Sequence, residues 1–86
     1  GRVIGERARV RPEGSYTSKL LGKGLDHSLK KIGEEATELV LAAKGDTEER
    51  VAEEAADLLF HTLVVLKQRG VALADVLDVL ERRRRK

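Results

Sequence analysis

The residues of this 86-residue chain best equipped for chemistry are acidic: Glu34, Glu35 and Glu38 in one stretch, then Glu53, Glu54 and Asp57 in the next. Glu35-x-x-Glu38 and Glu54-x-x-Asp57 each set two carboxylates three residues apart, on neighbouring ridges of a helix. Two such pairs on facing helices converge on one volume, with Glu34 and Glu53 alongside. Like charges repel there, and a carboxylate without a partner is costly to bury. A hard divalent cation resolves the conflict, because Mg²⁺ takes oxygen ligands and keeps positions open for water and phosphate. A donor set of several carboxylates without a soft ligand favours Mg²⁺ or Mn²⁺ over Zn²⁺. Such a centre can activate water and neutralise charge on a phosphoryl group. Each acidic residue taken singly also fits a solvated helix face; the paired pattern beside apolar stripes is what favours a site.

The elements that must position these groups are helices. From Leu25 to Lys44, the residues Leu25, Leu29, Ile32, Ala36, Leu39, Val40 and Ala43 recur at spacings of three and four, which predicts one apolar stripe. At about 100° per residue, Glu35 falls at the edge of that stripe, and Glu38 lies about 60° further round beside Lys31. Gly45 suits the residue after a helix end. Asp46 with Glu49 three residues on reads as a capping box, and Glu48 and Glu49 suit the positive end of the next helix. That helix is expected from about Thr47 to Arg69, stopping at Gly70. Its first half is one-sided, with Val51, Ala52, Ala55, Leu58 and Leu59. Its second half, LLFHTLVVLK, is apolar nearly all round, which implies more partners than a short chain supplies and hence a homo-oligomer, most simply a twofold dimer. Glu53 points away from Glu54, whereas Glu54, Asp57 and His61 share a face. A last helix, LADVLDVLERR, offers Leu73, Val76, Leu77 and Leu80 as its contact side.

Upstream, GRVIGERAR reads as the end of a helix with Val3 and Ile4 as contacts, and the start on Gly rather than Met points to residues before it. RPEGS reads as a breaker, with Ser15 as the N-cap of a short helical segment, YTSKLL, ending near Gly22 and Gly24. The fold class is therefore all-α, an antiparallel helical bundle in a single domain over residues 1–86.

Composition bounds the function. The chain has no Cys, which excludes disulfides and thiolate metal sites; with no Met or Trp, one Tyr and one Phe, its core must be aliphatic. That balance reads as a cytoplasmic helical protein. The longest purely apolar run, Leu39 to Ala43, is far short of the ~20 residues that a membrane span needs. No apolar core follows the first arginines to make a secretory signal. The net charge of +2 conceals an uneven distribution: residues 82–86, RRRRK, and the four arginines of residues 1–11 leave an acidic body between them. A basic tail can bind nucleic acid through phosphates, but no aromatic residues are interleaved to stack on bases, so a frayed, solvated end is favoured.

Basic residues must hold the rest of any polyanionic substrate. Lys19, Lys23, Lys30 and Lys31 lie upstream of the acidic cluster, around glycines that permit close approach. GKG at 22–24 lacks the spacing and the Lys-Ser/Thr pair of a P-loop. His61 reads either as a hydrogen-bonded core histidine or as a contact to a site carboxylate, and Tyr16 either as packing or as a base-stacking residue. A di-iron bundle is disfavoured because its Glu-x-x-His pairs are absent.

PEGSYTSKLL, KGLDHSLKKIGEEATELVLAAK and EEAADLLFHTLVVL together resemble phosphoribosyl-ATP pyrophosphohydrolase, the second enzyme of histidine biosynthesis and one of the all-α, MazG-like nucleotide pyrophosphohydrolases. The resemblance covers about residues 3 to 81. The Ser-Tyr-Thr segment and Lys-x-Gly-Glu-Glu make it sharper than the superfamily's Glu-x-x-Glu and Glu-x-x-Asp pairs alone. It implies a homodimer and Mg²⁺-dependent hydrolysis of phosphoribosyl-ATP to phosphoribosyl-AMP and pyrophosphate. By position, it implies Glu35, Glu38, Glu54 and Asp57 as metal ligands with Glu34 a near neighbour, and Glu35 or Glu38 to orient or deprotonate the attacking water. Ser15, Tyr16, Thr17, Lys19, Lys23 and Lys31 match the segments near substrate. Phe60 stands where the family often has Tyr, His27 is at a variable position, and the Arg-rich tail lies outside the pattern. Two alternatives remain open: a house-cleaning pyrophosphohydrolase for free nucleoside triphosphates, and a non-catalytic helical module that binds nucleic acid through RRRRK.

Overall fold

The computed structural model describes residues 11–85, and it places them in four helices: α1 (Arg11–Gly22), α2 (Leu25–Gly45), α3 (Glu48–Arg69) and α4 (Leu73–Arg84). The all-α expectation holds. The helical turns expected around Val3 and Ile4 lie outside the described residues. Among the described residues, no helix is long and apolar enough to cross a membrane.

The helix ends follow local chemistry, in places one residue away from expectation. RPEGS is not a breaker: α1 begins at Arg11, so Pro12 occupies the first turn and Ser15 lies inside the helix rather than capping it. Proline is tolerated in a first turn because its missing N–H has no intrahelical acceptor there. Gly24 precedes α2 with φ +94°, a backbone state that L-residues avoid, and its carbonyl accepts from both the N–H and the Oγ of Ser28 at 3.3 Å. A Cβ at Gly24 would meet nothing within 4 Å, so the dihedral, and not crowding by this chain, is what calls for glycine.

Gly45 stays helical, and the chain leaves α2 at Asp46, whose extended backbone still donates to Ala42 O at 2.8 Å. Asp46 therefore does not cap the following helix. Its Oδ1 accepts from the Thr47 N–H at 2.7 Å, and Thr47 Oγ1 accepts from the Arg50 N–H at 3.2 Å, making Thr47 the N-cap of α3. The expected Asp46–Glu49 capping box does not form, because Asp46 is engaged in the turn and the N-cap bond moves one residue on to Thr47. At the other end α3 stops as expected: Gly70 adopts φ +72°, and the N–H groups of Gly70 and Val71 return to Lys67 O and Leu66 O. The expected fraying at residue 82 is replaced by helix as far as Arg84. Glu81 accepts from Arg84 at 2.8 Å and Arg85 at 3.1 Å, and cations suit the negative end of a helix.

α2 and α3 form an antiparallel hairpin, and α1 lies along α3. The Tyr16 ring stacks on Phe60 at 5.9 Å, while Gln68 Nε2 donates to Leu21 O at 3.5 Å. The expected stripe on α2 is split. Ser28 and Ala42 are buried, and Ile32, Glu35, Ala36 and Leu39 are half-buried, whereas Leu29 and Val40 are exposed. The inward line is thus rotated toward Glu35, which sits on it rather than at its margin. Among the described residues the buried apolar side chains are Leu20, Ala42 and Val64. Leu59 on α3 is 64 % exposed, and α4 buries none of its residues, leaving Leu73, Leu77 and Leu80 in the open.

Candidate metal centre

Three of the acidic residues come together. Glu35 from α2 and Glu54 and Asp57 from α3 each offer a carboxylate oxygen, and these oxygens all lie within 4.8 Å of one another. The antiparallel hairpin supplies the approach, and the three-residue step from Glu54 to Asp57 puts both on the side of α3 facing α2. Glu38 is exposed and stands outside this trio, as do the exposed Glu34 and Glu53.

Counter-charges accompany two of the three. Glu54 is buried, with 8 % of its side chain exposed, and its Oε2 accepts from Arg50 Nη2 at 2.6 Å; Arg50 Nη1 also donates to Glu53 Oε1 at 2.9 Å. Hydrogen bonding to Glu53 and then the charge of Glu54 hold the guanidinium above its ordinary pKa. On α2, Lys31 Nζ lies 3.6 Å from Glu35 and 3.5 Å from Glu34. Partial burial opposes the Lys31 charge, but Glu34 and Glu35 outweigh it and raise its pKa. Asp57 is exposed and makes no ion pair among the described residues. Arg50 escaped the reading of the sequence, although its position four residues before Glu54 is the signal that finds it.

His61 is a core histidine, as one expectation had it, but without the expected hydrogen bond at Nδ1. It is buried, its Nδ1 has no hydrogen-bond partner, and its ring meets the edge of Phe60 at 5.2 Å. Burial, followed by the charge of Lys31, lowers its pKa against the opposing pull of Glu35 and Asp57, so it is neutral at physiological pH. Tyr16 packs its ring on Phe60 and remains partly exposed. Lys19 at the end of α1 and Lys23 in the turn before α2 are exposed, Lys31 borders the trio, and Ser15 and Thr17 lie within α1.

This carboxylate trio sits in a chain that matches the family model for phosphoribosyl-ATP pyrophosphohydrolase over residues 1–84. The chain belongs to that family. Relatives within the phosphoribosyl-ATP pyrophosphohydrolase family share half its residues. The phosphoribosyl-ATP pyrophosphatase of Geobacter sulfurreducens is 53 % identical over 81 residues, covering 94 % of this chain and 75 % of the relative. That of Methanoculleus marisnigri is 54 % identical over 85 residues, covering 96 % of this chain and 88 % of the relative. The histidine biosynthesis bifunctional protein HisIE of Bacillus subtilis is 52 % identical over 82 residues, which is 95 % of this chain but 39 % of that longer protein.

Proposed function

We propose that the chain hydrolyses phosphoribosyl-ATP to phosphoribosyl-AMP and pyrophosphate, the step of histidine biosynthesis that its family is named for. The observation that carries this reading is the convergence of Glu35, Glu54 and Asp57 from two helices in a chain of that family. The donors are all carboxylate oxygens, which suits Mg²⁺, and the burial of Glu54 fits a group that needs a cation opposite it. Glu35, Glu54 and Asp57 would hold the ion, with Glu38 and Glu34 one turn or less from Glu35 as further oxygen donors. Mg²⁺ bound there supplies charge neutralisation on the phosphate oxygens and a more acidic water.

The protein's own part is positioning and electrostatics, as phosphoryl chemistry requires. Glu35 or Glu38 orients the water and takes its proton as oxygen attacks phosphorus; the phosphoanhydride bond breaks and pyrophosphate departs. Lys31, beside Glu35, together with Lys19 and Lys23, supplies positive charge for the phosphates, and Ser15, Tyr16 and Thr17 on α1 border the nucleotide. Neutral His61 adds no like charge to this cationic set.

The working unit in this reading is a homodimer. Support comes from the thinness of the core among the described residues and from the leucines left exposed on α3 and α4. A domain of this size needs more apolar burial than that to be stable alone. The deciding experiment measures pyrophosphate release from phosphoribosyl-ATP with Mg²⁺ and with chelator, alongside dCTP and dUTP. Release from phosphoribosyl-ATP that stops with chelator is expected; a preference for either simple nucleotide overturns the assignment.

A further inference from the structure

The two most buried carboxylates of the trio each face a cation four residues earlier on their own helix, but the grips differ. Lys31 lies 3.6 Å from Glu35 and divides its charge with Glu34. Arg50 instead closes on Glu54 at 2.6 Å, with the other tooth of its fork on Glu53 at 2.9 Å. We propose that Arg50 is the resident counter-cation of the centre, occupying Glu54 until a divalent cation displaces it, and so a residue that sets the affinity of the site for metal. The inference rests on the metal-centre reading above.

A buried carboxylate such as Glu54 must face positive charge in either state, and the planar guanidinium is well shaped to provide it. A divalent cation shared by Glu35, Glu54 and Asp57 satisfies Glu54 better and repels Arg50 at close range. Arg50 is half-exposed, so it can swing toward solvent, and its bond to Glu53 is independent of Glu54. Displacement therefore leaves the guanidinium neither buried nor unpaired. The exchange breaks one charge-assisted hydrogen bond, and every metal-binding event includes that loss.

Calorimetric titration of the full chain with Mn²⁺ tests this, using wild type, Arg50→Gln, Arg50→Lys and Glu54→Gln, with circular dichroism to check helix content. Wild type is expected to bind, Glu54→Gln to lose binding, and Arg50→Gln to bind about fivefold tighter, the upper end for a partly exposed pair. Arg50→Lys keeps the charge without the fork and should fall between, so it carries the test if Arg50→Gln alters the helices. Binding by Arg50→Gln that is equal to or weaker than wild type, with Glu54→Gln inactive in binding, overturns the role of Arg50 alone. No Mn²⁺ binding by wild type or Arg50→Gln overturns the centre and the inference together.

Discussion

Asp57→Asn separates a metal centre from a merely acidic surface, because only a metal centre reverses the sign of its effect on stability when cation is added. Asp57 stands within 4.8 Å of carboxylate oxygens on Glu35 and Glu54 and has no ion-pair partner among the described residues. Two unit charges at that distance repel by about 3.5 kcal/mol at an effective dielectric constant of about 20. Solvent screening at an exposed side chain, and the nearby Lys31 and Arg50, reduce the net relief to about 1 kcal/mol. In chelator, the variant should then melt roughly 4–8 °C above wild type. With Mg²⁺ at a hundred times its dissociation constant, wild type gains about 2.7 kcal/mol, whereas a site weakened a hundredfold gains only about 0.4 kcal/mol. The order of melting temperatures reverses. Thermal melts followed by circular dichroism at one protein concentration, in chelator and in Mg²⁺, read both signs, and pyrophosphate release should fall at least a hundredfold in parallel. A variant that is no more stable in chelator, or that keeps the full Mg²⁺ shift, refutes the reasoning.

Glu35→Gln should remove most pyrophosphate release while leaving the helical circular dichroism signal intact; full activity would take Glu35 out of the site. His61→Leu should flatten the pH dependence of stability. Because burial lowers the His61 pKa, the unfolded chain takes up its proton first, so the stability that neutral His61 contributes is present above about pH 6.5 and is lost as pH falls through that value. Denaturant midpoints at pH 7.5 and 5.5, without metal, should differ less in the variant, His27 being common to both proteins. Gly70→Ala should cost about 1 kcal/mol through the positive φ that ends α3, read as a lower denaturant midpoint with an unchanged slope. Tyr16→Ala should lose about 1 kcal/mol of stacking against Phe60 and speed proteolysis within α1, and unchanged cleavage would argue against that contact anchoring the helix.

Much of this was legible in the order of residues. The span of α2 emerged from the recurrence of apolar positions, and the end of α3 from Gly70, because both depend on neighbours along the chain. The pairing of Glu35 with Glu54 and Asp57 followed from spacing plus a short connection. What escaped depends on partners that spacing does not show. Leu29 and Val40 share the periodicity of the core, yet they face outward, since hydrophobicity marks a face to be covered without saying by what. Asp46 and Thr47 are both good caps, and only the path of the turn decides between them. Arg50 went unremarked because its significance depends on the burial of Glu54, which spacing alone does not reveal.

Only Asp46 and Thr47 separate α2 from α3, and each is fastened by its own side chain or backbone bond. Such an elbow behaves as a gauge block: one additional residue would turn the second rod by about 100° and swing Glu54 and Asp57 out of register with Glu35. The register between the two halves of the candidate centre is therefore set by a two-residue joint that lies 11 residues after Glu35 and 7 before Glu54.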